Sequence, residues 1–213
     1  MQAAGRARIS PAILAFVLCA LLGAVANAAG QVRTYALDPV HTRVMVAVDH
    51  AGFSRAIATV SGSTGTLRFD PDAWESARLE ARVPLQQLDL GDPDWNRAAL
   101  ASGLLDAGRH PEAVFISQRV EPLSASRARI HGELTLRGVT RPVTLEATLN
   151  ALKRHPMPPF RRTAGFSAVG MLSRSDFGIT AWPGVIGDLV ELRIEVEAVH
   201  APDATFSDEE ATP

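Results

Sequence analysis

Segment 190–199 alternates between apolar and charged side chains along almost its whole length, and this pattern constrains the fold more than any other feature. Successive side chains of a β-strand point to opposite faces of a sheet, so a period of two buries one face and leaves the other in water. Segments 78–85, 127–136 and 143–149 repeat the pattern, and a glycine-containing turn at 137–140 joins the last two. The chain is therefore expected to consist mainly of antiparallel strands.

Shorter segments extend this pattern over most of the chain. Segment 42–49 is apolar on both faces, and the other strand candidates are 32–37, 56–62, 65–69, 113–120 and 163–172. One helix is expected where Asp92 can cap, Pro93 can occupy the first position and Gly103 can end the run. About eight to ten short strands with one helix favour an all-β fold, a single antiparallel barrel with the helix covering one side.

The first 28 residues have the composition of a secretory signal peptide. Arg6 and Arg8 precede an apolar run at 13–25, and Ala26 and Ala28 offer small residues to a signal peptidase. The run is shorter than the roughly 20 residues that a membrane span needs. We therefore expect cleavage of residues 1–28 and a periplasmic or secreted protein, with the barrel domain at residues 31–200 and a disordered acidic tail at residues 201–213.

Composition excludes several classes of function. The single cysteine, Cys19, lies inside the signal segment, so disulfides and thiol chemistry are not expected in the mature chain. A net charge of −2 provides no basic field for nucleic acid. The sequence has no G-x-S-x-G, P-loop or H-E-x-x-H motif. We expect no cofactor, no metal site and no nucleic-acid partner.

A few polar and aromatic residues are candidates for a site. His41, Asp49 and His50 are the nearest approach to a metal cluster, but their spacing favours two histidines that open and close one strand. The run 173–176 reads as a polar turn rather than a catalytic triad, with Phe177 plugging the barrel. Trp95 and Trp182 are either ligand contacts or core residues, whereas Trp74 is expected on the surface.

Five short motifs resemble those of the YceI-like family of exported lipocalin-like proteins, and they occur in the family's order. They lie at 35–42, 67–71, 110–115, 132–143 and 173–179, so the resemblance covers nearly the whole chain after residue 35. The resemblance implies an eight-stranded antiparallel barrel with a covering helix. It further implies an apolar tunnel for a polyisoprenoid such as a quinone or its precursor, and no catalytic residues. Some members are linked to stress responses or to cytochrome b-type membrane partners.

Small residues on the inward faces of the expected strands would leave room for such a ligand. An eight-stranded barrel is just wide enough to be packed solid or to hold one small ligand. Each methylene that leaves water gains about 0.8 kcal/mol, so a prenyl chain would need polar groups only to orient its head group. The candidate ligand-binding residues are His41, Val44, Val46, Phe115, Leu134, Phe166, Ala168, Arg174, Asp176, Phe177 and Trp182.

Three functions stay open at this stage. The first is a carrier for a polyisoprenoid or quinone-like lipid, monomeric or dimeric and without turnover. The second is a solid barrel that acts as a protein-interaction or stress-response module and has no cavity. The third is an enzyme that uses His41 with Asp38 or Asp176 as acid and base. A cavity and the position of His41 relative to it distinguish the three.

Overall fold

Eleven antiparallel strands and one α-helix form the part of the chain that the structure, a computed structural model, describes: residues 31–207. The strands are β1 Arg33–Leu37, β2 Arg43–His50, β3 Ser54–Val60, β4 Thr64–Phe69, β5 Arg78–Pro84, β6 Leu88–Asp89, β7 Glu112–Ser124, β8 Arg127–Leu136, β9 Val139–Arg154, β10 Arg162–Ser173 and β11 Ile186–His200, and the helix is α1 Pro93–Leu100. The expected signal peptide lies outside the described residues. Within residues 31–207, no helix has the length and apolar character needed to cross a lipid bilayer.

Three pairs of short strands each serve as one strand of a closed barrel. β1 and β2 both pair with β11. Next to them, β4 pairs with β1 and β3 pairs with β2. In the third position, β5 pairs with β4 and β6 pairs with β3. The other neighbours follow chain order from β5 through β7 to β11, which returns to β1. Eleven strands with three interrupted pairs therefore make an eight-stranded up-and-down barrel. The predicted fold class is confirmed.

The predicted alternation holds in the barrel wall. On β11, Val190, Leu192 and Ile194 face the interior, while Glu191 and Arg193 are exposed. The doubly apolar strand β2 turns its valines inward and its Met45 and Ala47 outward. Arg55 of β3 donates to the Ala47 carbonyl at 3.2 Å, which places its long side chain along this outer face.

Helix α1 forms where the sequence predicts it. The Asp92 side chain accepts hydrogen bonds from the backbone N–H groups of Asp94 and Trp95, and Pro93 occupies the first turn. The helix ends at Leu100, three residues before the expected Gly103, and the chain then passes through tight turns to β7. Leu100 packs against the buried cluster of β3 and β6, so the helix covers that side of the barrel.

Aromatic side chains close the barrel end at which β1 and β10 begin. Phe69 lies edge-to-face with Trp74 and Phe166, at ring-centroid distances of 5.0 and 5.3 Å. The prediction that Trp74 lies on the surface is wrong, because it is only 5% exposed. A 3₁₀ turn at Trp74–Ser76 folds over the barrel end and carries the indole into the core.

The chain beyond β11 remains packed on the barrel as far as Ser207. Thr66 donates its hydroxyl to the Thr205 carbonyl at 2.8 Å, and Phe206 is only 1% exposed. Ser207 donates its hydroxyl and its N–H to the Glu80 carboxylate. The packed region thus continues past residue 200, where the sequence predicts the disordered tail to begin, because Phe206 supplies an apolar anchor that the acidic composition conceals. Residues 208–213 lie outside the described part.

Gly132→Ala should destabilise the barrel by about 1–3 kcal/mol, because a Cβ there would lie 2.5 Å from both the Ile116 carbonyl oxygen and the Phe115 ring. Gly165→Ala is the matched control, since its Cβ would meet nothing closer than 4.0 Å. Urea denaturation should show a large loss of free energy of unfolding for the first variant and a small change for the second. Equal losses would contradict the packing described for β7 and β8.

Glu80 should make the barrel sensitive to acid. Burial would raise the pKa of Glu80, but hydrogen bonds from Ser207 and Arg82 outweigh it and hold the pKa below its ordinary value of 4.5. A lowered folded-state pKa stabilises the protein above pH 4.5, and this stability is lost as the pH falls through the folded value. Ser207→Ala should lower the free energy of unfolding at neutral pH and flatten its fall in acid.

The control for this measurement is Ser54→Ala, at an exposed position at the other end of the barrel. Urea denaturation at neutral pH and at several pH values below 4.5 measures, for each variant, the free energy of unfolding and how steeply it falls in acid. An acid dependence that Ser207→Ala leaves unchanged would show that the Glu80 contacts do not produce it.

Candidate ligand-binding site

The barrel encloses one long cavity of about 420 Å³. Small-molecule sites in proteins span roughly 300–1,000 Å³, so the space suits a ligand rather than a few waters. Its wall is almost entirely carbon, contributed by side chains from all around the barrel. The interior is therefore not packed solid.

Small residues create this space. Ala147 of β9 pairs with Ala128 of β8 and Ala168 of β10, which puts three short side chains side by side in the wall. Ala147 and Ala168 line the cavity, and so does Ala81 of β5. Large residues at these positions would fill the axis, because the interior of an eight-stranded barrel is only about one side chain deep.

The closed end of the cavity is aromatic and contains a polar group without a partner. Phe69, Trp74 and Phe166 line this end, and the indole Nε1–H of Trp74 has no hydrogen-bond partner. Ser63, elsewhere on the wall, also has a buried hydroxyl without a partner. An unpaired buried polar group costs about 1–3 kcal/mol of stability. The polar atoms of Trp74 and Ser63 therefore contribute no stabilising hydrogen bond to the empty barrel.

The opposite end opens at a mouth formed by the β2–β3 turn, α1 and the segment before β11. His50, Trp95 and Trp182 line the cavity here, and the rings of His50 and Trp95 meet edge-to-face at 5.5 Å. Trp95 is 43% exposed and Trp182 is 63% exposed, so both touch the cavity and the solvent. The sequence leaves these tryptophans open as core or ligand contacts, and the structure places them at the entrance.

Arg174 holds the segment that carries Trp182 at the mouth. Its guanidinium is buried and donates from Nε to the Gly187 carbonyl at 2.9 Å and from Nη2 to the Ile186 carbonyl at 2.8 Å. Nη1 donates to two more backbone carbonyls, those of Ile179 and Ala181, at 2.7 and 2.9 Å. Two of these four charge-assisted bonds hold residues 179 and 181 in the connection between β10 and β11, and the other two hold the first two residues of β11.

A carboxylate ties the start of β11 to the end of β10 and the turn that follows it. Asp188 accepts hydrogen bonds from the Ser173 hydroxyl and the Ser175 N–H. The hydroxyl contact from Ser173 is the main cause that holds the pKa of Asp188 below its ordinary value. The carboxylate is thus ionised at neutral pH beside the start of β11.

His41 lies on the outer surface rather than in the cavity. Its Nδ1 lies 2.7 Å from the Asp38 carboxylate and 4.0 Å from that of Glu197, and its side chain is 54% exposed. The hydrogen bond with Asp38 raises the pKa of His41. The possible metal-ligand atoms of Asp38, His41 and Glu197 lie within 4.8 Å of one another. Asp49 and His50, which the sequence analysis considered together with His41 as a metal cluster, lie apart from it at the mouth of the cavity.

The cavity brings together most, but not all, of the predicted ligand-binding residues. His41 and Asp176 are exposed outside it, and Phe177 is buried in the core beside it. The members that line it are Val44, Val46, Phe115, Leu134, Phe166, Ala168, Arg174 and Trp182. Their role in binding stays a prediction.

His50 is the mouth residue that the sequence analysis missed as a ligand contact. It continues the even-numbered face of β2, on which Val44, Val46 and Val48 line the cavity. Strand parity alone would have placed its imidazole inside the barrel.

An up-and-down barrel with an apolar cavity and one covering helix defines a lipocalin-like class of protein. The profile of the YceI-like domain matches residues 35–198. The chain belongs to the YceI-like family.

Relatives and solved structures agree with this assignment. A UPF0312 protein of Pseudomonas savastanoi pv. phaseolicola is 30% identical over 182 residues, which cover 84% of this chain and 93% of that protein. A UPF0312 protein of Pseudomonas putida is 31% identical with the same coverage.

The structural neighbours share the fold. The crystal structure of BcnA from Burkholderia cenocepacia aligns with a TM-score of 0.66 and 20% identity, over 73% of this chain and 95% of that one. A polyisoprenoid binding domain from Saccharophagus degradans, implicated in plant cell wall breakdown, aligns with a TM-score of 0.60 and 12% identity, over 80% of this chain and 100% of that one. At such identities the likeness establishes the fold alone.

Arg174→Met should lower the free energy of unfolding by about 3 kcal/mol or more, because it removes four charge-assisted hydrogen bonds and leaves their carbonyls unpaired. Hydrogen exchange should quicken at the amides of residues 178–187. The control Arg193→Met removes an exposed ion pair with Glu195 and should cost less than about 1 kcal/mol. Unchanged hydrogen exchange in Arg174→Met would show that the Arg174 side chain does not hold this segment in place.

Proposed function

We propose that this protein carries a polyisoprenoid or quinone-like lipid, held non-covalently with its prenyl chain in the barrel and without chemical conversion. The observation that carries the proposal is the apolar cavity inside the barrel, which meets solvent at the mouth where the partly exposed Trp95 and Trp182 line it. A ligand with a long hydrocarbon chain matches such a wall, because each buried methylene gains about 0.8 kcal/mol without any directional contact. The likeness in fold to a polyisoprenoid binding domain supports the same ligand class.

The two ends of the cavity imply one orientation for the ligand. The prenyl tail would lie against Phe69 and Phe166 at the closed end, where the wall is aromatic. The head group would lie at the mouth, where the His50 imidazole can donate a hydrogen bond to a carbonyl or hydroxyl oxygen. Arg174 contributes by fixing the segment at the mouth, since its donors already serve backbone carbonyls.

The alternatives fit the structure less well. A solid interaction module requires a filled barrel, whereas this one contains a cavity of about 420 Å³. An enzyme based on His41 requires a cleft beside the imidazole, but His41 lies on the outer surface. The proposal includes export to the periplasm or outside the cell after removal of residues 1–28, while a cytochrome b-type membrane partner and a monomeric or dimeric state stay predictions.

Native mass spectrometry of the protein purified from its own periplasm, followed by organic extraction, tests the proposal. A stoichiometric mass difference that extracts as a prenyl lipid would support the carrier and identify its cargo. A protein of unliganded mass that stays so after incubation with long-chain quinones would refute it.

Ala168→Phe should abolish quinone binding, because the ring would occupy the cavity at the row of alanines. The control Val169→Phe adds the same bulk on the neighbouring, exposed face of β10 and should bind as the unmodified protein does. Quenching of tryptophan fluorescence reports binding, since all three tryptophans line the cavity. Ala147→Ile, a smaller change in the same row, covers the case in which the first variant fails to fold, and undiminished binding in a folded variant would contradict the site.

A further inference from the structure

Four exposed apolar side chains surround the mouth of the cavity and are called the mouth rim here: Phe53, Trp95, Trp182 and Val185. Phe53 is 93% exposed at the tip of the β2–β3 turn, and Val185 is 40% exposed before β11. Exposed aromatic side chains concentrated at one site mark an interaction surface more often than scattered single residues do. Three of these four also line the cavity, so the rim and the cavity form one continuous apolar surface.

The rim is built on fixed backbone rather than on loose loops. The Ala51 N–H donates to the Val185 carbonyl at 2.6 Å, which ties the β2–β3 turn to the segment before β11. The Asp49 carboxylate accepts from the Gly52 N–H at 3.1 Å and shapes the turn that projects Phe53. Arg174 binds the Ala181 carbonyl next to Trp182, and Trp95 lies on helix α1, whose N-terminus is capped by Asp92.

The area of the rim is too small for a stable protein interface. At 93%, 63% and 43% exposure, and with about 150–250 Å² for each aromatic side chain, the three rings expose roughly 300–500 Å² in total. A stable protein–protein interface buries about 800 Å² on each partner. Two tryptophans and a phenylalanine of this area instead match the residues that proteins place at the boundary between water and lipid.

The charges on the same segments indicate which kind of lipid surface. Segments 49–55, 92–100 and 174–188 carry five carboxylates and three guanidinium groups: Asp49, Asp92, Asp94, Asp176 and Asp188 against Arg55, Arg97 and Arg174. Arg97 and Arg55 are already paired with Asp94 and Glu191. A surface with this excess of acid gains nothing from anionic lipid, because binding to such lipid depends on clustered Lys and Arg.

We propose that the mouth rim inserts into the interface of a zwitterionic lipid bilayer, so that the ligand passes between bilayer and cavity without crossing water. This inference rests on the proposed function for its ligand, but contact between rim and bilayer does not require the ligand. The partner is the lipid surface itself rather than a membrane protein.

Flotation with phosphatidylcholine vesicles tests the contact. The variant Phe53→Ser with Trp182→Ser should lose vesicle binding by about tenfold or more, because it removes the two most exposed aromatic rings of the rim. The matched control is Met157→Ser with Phe160→Ser, which removes two exposed apolar side chains (61% and 50%) between β9 and β10, at the closed end of the barrel. It should bind as the unmodified protein does, and added phosphatidylglycerol should not strengthen binding.

A second measurement separates the contact from the ligand. Uptake of a long-chain quinone from loaded phosphatidylcholine vesicles should slow in Phe53→Ser alone, while the amount bound at saturation stays the same, because Phe53 belongs to the rim and does not line the cavity. Vesicle binding without any quinone uptake would uphold the rim and refute the lipid-carrier function. Uptake from detergent without vesicle binding, equal loss in both double variants, or self-association that the rim variant abolishes would overturn the rim proposal.

Discussion

Closure of the sheet through β11 is the constraint on which the rest of the structure depends. β11 pairs with β10 along one side and with both β2 and β1 along the other, so a single strand joins the last hairpin to the first. A closed barrel has no free edge, and its strand number sets its diameter. With eight strands, the sizes of the inward side chains decide whether the interior is filled. The alanines that meet across β8, β9 and β10 leave it open, whereas Gly132 and Gly170 let the large side chains of Phe115 and Leu145 fold back against the wall.

The two ends of the barrel are finished by different physical means. At the closed end, edge-to-face contacts among Phe69, Trp74 and Phe166 exclude water by burial alone. At the mouth, the Arg174 guanidinium binds backbone carbonyls, so the entrance is shaped by hydrogen bonds and its apolar side chains stay uncovered. The two ends of the cavity therefore differ in character, one aromatic and buried and the other lined by partly exposed side chains.

The wall of the site could be predicted from the sequence because strand parity is local information. The predicted bounds 127–136 match β8, and the cap of α1 is readable from Asp92 and Pro93 alone. The ends could not be predicted, because they depend on where turns lie in three dimensions. Trp74 sits in a polar-looking turn that folds over the barrel, and Phe206 lies in an acidic segment that docks beside β5. His41 precedes β2 in a run of polar and turn residues, and nothing local indicates that its imidazole turns outward to Asp38.

A cavity whose wall is almost entirely carbon recognises length and shape rather than functional groups. Affinity then grows with each buried methylene, and the same burial opposes release into water. A carrier that binds a long prenyl chain this way would hold it too firmly to exchange through solvent, because the leaving chain would expose its whole surface to water. Exchange becomes fast only where the mouth meets a second apolar phase. The exposed rings of Phe53 and Trp182 supply the apolar surface that such a contact would need. A cavity that binds its ligand by burial of hydrocarbon alone thus favours an entrance that contacts a lipid surface.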